Sequence, residues 1–192
     1  MAAHAGLTVE RITRAAAELA DRVGIEKVTV SALAREFGVK DASFYSHVKN
    51  LREIRTRVAL LASDEMNQAL AAAIAGRSGA EALTAFADAY RDYALAHPGR
   101  YAATQLPLDQ GDFAELTDTA VLARSVELTY AVMRHYRLEE PARTDAARLL
   151  RSTFHGFATI EAAGGFHHPR AAADSWRRIT AGLHHLLATW PS

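Results

Sequence analysis

The 192-residue chain has no cysteine, and only five prolines and three methionines. Without cysteine there are no disulfides, no thiolate zinc sites and no thiol redox chemistry. Net charge is absent too, since 22 Lys and Arg face 22 Asp and Glu. That balance argues against a generally basic nucleic-acid binder. No run approaches the roughly 18 apolar residues of a membrane-spanning helix. The opening "MAAHAGLTVE" lacks the basic region and apolar stretch of a signal peptide, so a cytoplasmic protein is expected. No repeat, low-complexity tract or cofactor motif stands out, and "KVTV" at 27–30 is too short for a convincing strand.

The charge that is there is unevenly placed. Residues 1–57 carry ten Lys and Arg against seven Asp and Glu, and residues 58–192 carry twelve against fifteen. The excess of positive charge therefore lies at the N-terminal end, where a polyanion can be met. The apolar pattern is helical almost throughout. Thr8 is placed to cap a first helix carrying Ile12, Ala15, Ala16, Leu19, Ala20 and Val23, which Gly24 ends. Ser31 or Thr29 opens a short second helix that stops at Gly38. Asp41 is placed to cap a third, of about two turns. Asn50, with Glu53 three residues later, reads as a capping box opening a long fourth helix that breaks near Gly76–Gly79. Further helices are predicted over about 80–96, 118–137, 142–163 and 171–189, with a Pro/Gly break at "HPGRY" and a looser stretch to about 116. The boundary of composition near residue 57 suggests an N-terminal domain over 1–52 and a second over 53–192.

The stretch "LAREFGVKDASFYSHVKNLREI", residues 33–54, places a glycine turn between two short helices, a helix-turn-helix pattern. Phe44 and Val48, at i and i+4, together with Val39 suit packing against the first two helices. Ala42, Tyr45, Ser46 and Lys49 share the opposite side. A methyl, a phenol, a hydroxyl and an ammonium suit a DNA major groove, where phosphates take donors and a thymine methyl takes an apolar contact. Asp41 reads either as a cap or as an acceptor for cytosine.

Residues 11–54 resemble the N-terminal domain of TetR-family transcriptional regulators. The matching positions are Arg11, Gly24, Thr29, Gly38, Val39, Tyr45, His47 and Val48, within "RITRAAAELADRVGIEKVTVSALAREFGV" and "ASFYSHVKNLREI". The resemblance implies that Lys40 to Tyr45 approach base edges and that Tyr45, His47 and Lys49 hold phosphates. Thr29, Ser31, Asp41, Ala42, Ser43, Ser46 and Arg52 complete the candidate DNA-binding set. One departure is Leu51, where the family usually has lysine; that phosphate contact is either missing or supplied by Lys49 or Arg52.

The second half is similar to a TetR subgroup with an aromatic-His-Gly triplet, an acidic residue and paired glycines. Here these are Phe154, His155, Gly156, Glu161, Gly164, Gly165 and Phe166, with Phe154 where Trp is typical. "YALAHPGRYAA" at 93–103 also fits that subgroup. The resemblance implies an all-α protein, a three-helix DNA-binding domain followed by a six-helix regulatory domain. It implies a homodimer through a four-helix bundle of the last two helices. It also implies repression of a palindromic operator, relieved by a small-molecule effector of apolar or mixed character. The last helix supports a dimer physically, because its apolar surface is broad. Phe157, Phe166, Trp176, Ile179, Leu183, Leu186 and Leu187 are the candidate interface. Phe86, Tyr90, Tyr101, Phe113, Tyr130 and Met133 are candidate lining for an effector cavity, with His155 or Glu161 adding polarity, although aromatics at helical spacing more often simply pack.

Two other functions are open to an all-helical chain of this kind. A helical enzyme needs a convergent acid–base set, and His155 and Glu161, six residues apart, fall on different helical faces. A helical dimer with a vestigial head would act only as an interaction protein. The pairs His167–His168 and His184–His185 do not have the i, i+4 spacing of a helical metal site, so no metal is expected.

Overall fold

The computed structural model describes residues 7–107 and 119–191. Eight α-helices occur among them: α1 (Val9–Val23), α2 (Val30–Phe37), α3 (Leu51–Ile74), α4 (Gly79–Ala96), α5 (Pro98–Ala103), α6 (Thr119–Met133), α7 (Ala142–Ala162) and α8 (Ala172–Ala188). The described residues contain no strand, so the all-α expectation holds. They form two compact units, one of residues 7–64, 97–107 and 119–121 and one of residues 65–96 and 122–191.

In the first unit, α1 starts where Thr8 turns its hydroxyl back to accept the Arg11 N–H at 3.3 Å. Its apolar side, Ile12, Ala16, Leu19 and Ala20, is buried, while Arg11, Arg14 and Glu18 on the other side are exposed. Thr29, not Ser31, caps α2, accepting the Ala32 N–H at 3.1 Å. The helix ends in a Schellman motif: Gly38 takes the left-handed conformation (φ 66°), and the Val39 N–H reaches the Ala34 carbonyl at 3.0 Å. Leu33, Ala34, Phe44, Val48, Ile54 and Val58 close one core with α1 and with Ala103 of α5.

The expected break at "HPGRY" falls at His97, but the looser stretch expected after it is corrected over residues 98–103, which form helix α5. Pro98 sits at its first position, where a missing N–H is harmless. Asp21 of α1 supplies the cap, accepting the Arg100 N–H at 2.8 Å and pairing with the Arg100 guanidinium at 3.1 Å. His97 Nδ1 lies 3.3 Å from the same carboxylate. Gly99 is buried against α1 so closely that a Cβ there would stand 1.9 Å from the Ala20 carbonyl oxygen.

In the second unit, α4 packs on α7 and α8. Phe154 stands at the centre of an aromatic stack, with ring centroids 6.2 Å from Phe86, 5.6 Å from Tyr90 and 5.7 Å from Trp176. The Trp176 indole N–H donates to Asp88 at 2.7 Å. The Arg91 guanidinium clasps Glu161, with Nε 2.6 Å from the carboxylate. That hydrogen bond, aided by the negative charge around it, raises the Arg91 pKa even though burial opposes it. Between α3 and α6, the buried Asn67 accepts the Ser125 hydroxyl at 2.8 Å. α7 ends in a second Schellman turn at Gly164, where the Gly165 N–H reaches the Ile160 carbonyl at 2.8 Å.

Candidate nucleic-acid interface

The exposed segment after α2 is built from its two buried anchors. Phe44 is fully buried and meets Phe37 edge-on, with ring centroids 5.7 Å apart. Val48, one turn later, is buried as well. A helical turn that hides these two must turn its other side outward. Ala42, Ser43, Tyr45, Ser46, His47 and Lys49 are all exposed, and Tyr45 is 58% accessible. Tyr45 is therefore an open amphipathic side chain one residue from a fully buried phenylalanine.

The regular two-turn helix expected here is instead a 3-10 turn over Asp41–Ser43 followed by tight turns through residue 47. Asp41 is not its cap. Lys40 holds the cap position, and the Asp41 carboxylate accepts the Ser31 hydroxyl from the start of α2. The two helical pieces are thereby tied at their N-terminal ends, and two candidate DNA-binding side chains are engaged with each other. Ser46 donates its hydroxyl to the Ser43 carbonyl at 2.8 Å. Lys40 and Arg52 are exposed, and Thr29 serves as the α2 cap.

Lys49 is fixed by the opening of α3. Its N–H donates to the Glu53 carboxylate at 2.7 Å, and the Glu53 N–H donates to Asn50 Oδ1 at 2.9 Å. This is the expected capping box displaced by one residue, since Glu53 reaches Lys49 and not Asn50. Burial alone would raise the Glu53 carboxyl. The Lys49 N–H and the Arg57 guanidinium outweigh it and hold the carboxyl below its ordinary range. Arg57 lies 2.8 Å away.

Residues 12–54 match the family model described as bacterial regulatory proteins, tetR family. Residues 83–183 match the tetracyclin repressor-like C-terminal domain. The chain belongs to the TetR family. It is 37% identical over 161 residues to the HTH-type transcriptional regulator Rv0681 of Mycobacterium tuberculosis, spanning 83% of this chain and 72% of the relative. It is 31% identical over 166 residues to the HTH-type transcriptional regulator YobS of Bacillus subtilis, spanning 86% of this chain and 85% of YobS. Among solved structures, BioQ of Mycobacterium smegmatis gives a TM-score of 0.69 at 21% identity, over 97% of this chain and 100% of BioQ. BioQ with its natural double-stranded DNA operator gives 0.66 at 22%, over 96% of this chain and 99% of that one. At these identities the structural likeness speaks for the fold. Family membership makes the chain a DNA-binding transcriptional regulator.

The candidate cavity and interface residues of this TetR-family chain fall in several places. Phe86 and Tyr90 are buried in the aromatic stack, and Glu161 is held by Arg91. Tyr130 lies under the Arg143 guanidinium, 5.1 Å from ring centroid to carbon. Met133 is buried and His155 half-buried in the second unit, whereas Tyr101 is buried in the first. Phe113 lies outside the described residues. Of the candidate interface residues, Phe157, Trp176, Leu183 and Leu187 are already buried within one chain. Phe166 and Leu186 are exposed, as is Ile160, and Ile179 is half-buried. Helix α5 and its partner Asp21 were not anticipated from the sequence; Pro98 followed by a short apolar pattern was the available signal.

Proposed function

We propose that two copies of this protein bind a roughly palindromic operator in the cytoplasm as a repressor, and that a small molecule of apolar or mixed character releases them. Residues 1–52 serve as the DNA-binding part, and residues 53–192 bind the effector and pair the subunits. The observation that carries this reading is the exposed row Ala42, Tyr45, Ser46 and Lys49, held from behind by buried Phe44 and Val48 within a TetR-family head. Its donors suit phosphates and its methyl suits thymine. Two heads reading half-sites about 34–36 Å apart, or a multiple of a helical turn, need a two-fold assembly. Exposed Ile160, Phe166 and Leu186 give α7, its C-terminal turn and α8 the apolar surface for one. BioQ, of the same fold, is described in complex with double-stranded DNA.

The effector acts by preferring the state that does not fit the operator. Reversing a 1:99 balance to 99:1 takes about 5.5 kcal/mol of differential affinity, within the reach of a buried drug-sized ligand. A gel shift with the DNA upstream of the protein's own coding region, at two salt concentrations, tests the reading. Retardation that weakens with salt is expected, and Tyr45→Ala with Lys49→Ala abolishes it. An unaltered gel shift in that double variant, or a monomer by sedimentation, overturns it.

A further inference from the structure

We propose that a cavity between the start of α4 and the end of α6 binds a small organic anion, a carboxylate or phosphate head on a short apolar body. The cavity measures about 410 Å³ and lies wholly within the second unit. That is far larger than one inorganic ion and falls in the range of small-molecule sites, roughly 300–1,000 Å³.

Its chemistry is divided. The floor is apolar and small, formed by buried Gly79, Ala82 and Val132. The rim is cationic, formed by exposed Arg77, Arg134 and Arg137, with the exposed His135 ring beside them. Three guanidinium groups at one mouth repel one another unless negative charge is supplied. Arg77 has part of that charge from Glu81, 3.2 Å from its Nε. The side chains of Arg134 and Arg137 have no hydrogen bond or ion pair among the described residues. They share the mouth because the chain turns sharply there. Arg137 adopts the left-handed conformation (φ 53°), and its N–H closes on the Arg134 carbonyl at 3.3 Å. A non-glycine residue held at positive φ is a costly backbone choice.

Gly79 opens the space. It too has positive φ, 56°, and a Cβ there would lie 3.2 Å from the His135 ring. Gly79 also begins the 18-residue helix α4, so the first N–H groups of that helix add positive potential at the same place. Cavity, rim charge and helix end converge on one ligand class. None of Phe86, Tyr90, Tyr130, Met133, His155 or Glu161 lines this cavity. The inference stands apart from the DNA-binding reading, because no DNA enters its test.

Isothermal titration of the full chain at low salt is the experiment, with phenyl phosphate, inorganic phosphate and phenol as probes. Phenyl phosphate is expected to bind one molecule per chain. Arg134→Ala with Arg137→Ala is expected to weaken it by about tenfold or more, as loss of charge-assisted hydrogen bonds requires. Both arginines are exposed, so the double variant should fold, and with their mutual repulsion removed its melting temperature without ligand should be no lower than that of the native chain. Inorganic phosphate should bind more weakly than phenyl phosphate, and Glu81→Gln should tighten phenyl phosphate. No binding of phenyl phosphate, equal binding by phenol, or unchanged affinity in the double variant overturns the proposal.

Discussion

The Lys49 N–H and the Glu53 carboxylate lie 2.7 Å apart, so the residue that closes the exposed segment after α2 is also the first group bound by the helix after it. Its ammonium thus starts from a backbone already fixed in place. Replacing Glu53 with Ala should cost about 1 kcal/mol of stability, the usual effect of losing a helix cap. Urea denaturation measures that cost. Operator affinity should fall in the same variant, and Lys49→Ala should add little further loss to it.

Acid should undo the same contact. The Glu53 carboxyl is held below its ordinary range in the folded chain. Its contribution is therefore complete above the unfolded-state value and is lost as pH falls through the lower folded value. Stability measured in urea from about pH 7 down to about pH 3 should decline more steeply for the native chain than for Glu53→Gln. Parallel curves would contradict this assignment.

Tyr45→Ala and Lys49→Ala, made singly, should each weaken operator binding at every sequence tested. If each contacts one phosphate, the slope of log affinity against log salt should drop by about one unit for Lys49→Ala and scarcely at all for Tyr45→Ala, which carries no charge. Filter binding across a salt series reads the slope. Thermal unfolding should be unaffected, because both side chains are exposed.

Gly99→Ala should destabilise the first unit, because its Cβ would stand 1.9 Å from the Ala20 carbonyl oxygen. Overpacking of this kind typically costs about 1–3 kcal/mol, and backbone on both sides leaves little to yield. Ala102→Ser, on the exposed side of the same helix, is the control and should be near neutral. Chemical denaturation of the two variants checks the pair.

Trp176→Phe keeps a ring in the aromatic stack and removes the 2.7 Å indole bond to Asp88. A loss of about 1–3 kcal/mol is expected for a partly buried acceptor left without its donor. Asp88→Asn should recover part of it in the double variant, since the uncharged amide is easier to leave unpaired.

Caps and turns were legible in the sequence because their physics is local. Thr8, Thr29, Gly38 and the Asn50–Glu53 pair each act within five residues, and each lies where the pattern puts it. Asp41 was not legible as a tie, since Ser31, the partner it takes, is ten residues away and brought near only by the glycine turn. Helix α5 is six residues long, too short to show a helical period, and its cap comes from Asp21 in another helix. The aromatic positions of the second unit were visible, but whether Phe86 and Tyr90 meet Phe154 or a ligand depends on how α4 and α7 approach. The row from Ala42 to Lys49 was readable because Phe44 and Val48 fix which side is inward.

The junction at Gly99 has a mechanical meaning. Side chains between two helices act as cushions, since a rotamer change absorbs a small displacement. Here peptide lies on peptide, with Asp21 bolting the end of α5 to α1. A push on residues 98–103 has no soft layer in which to dissipate, so α1 must follow it as a lever follows its pin.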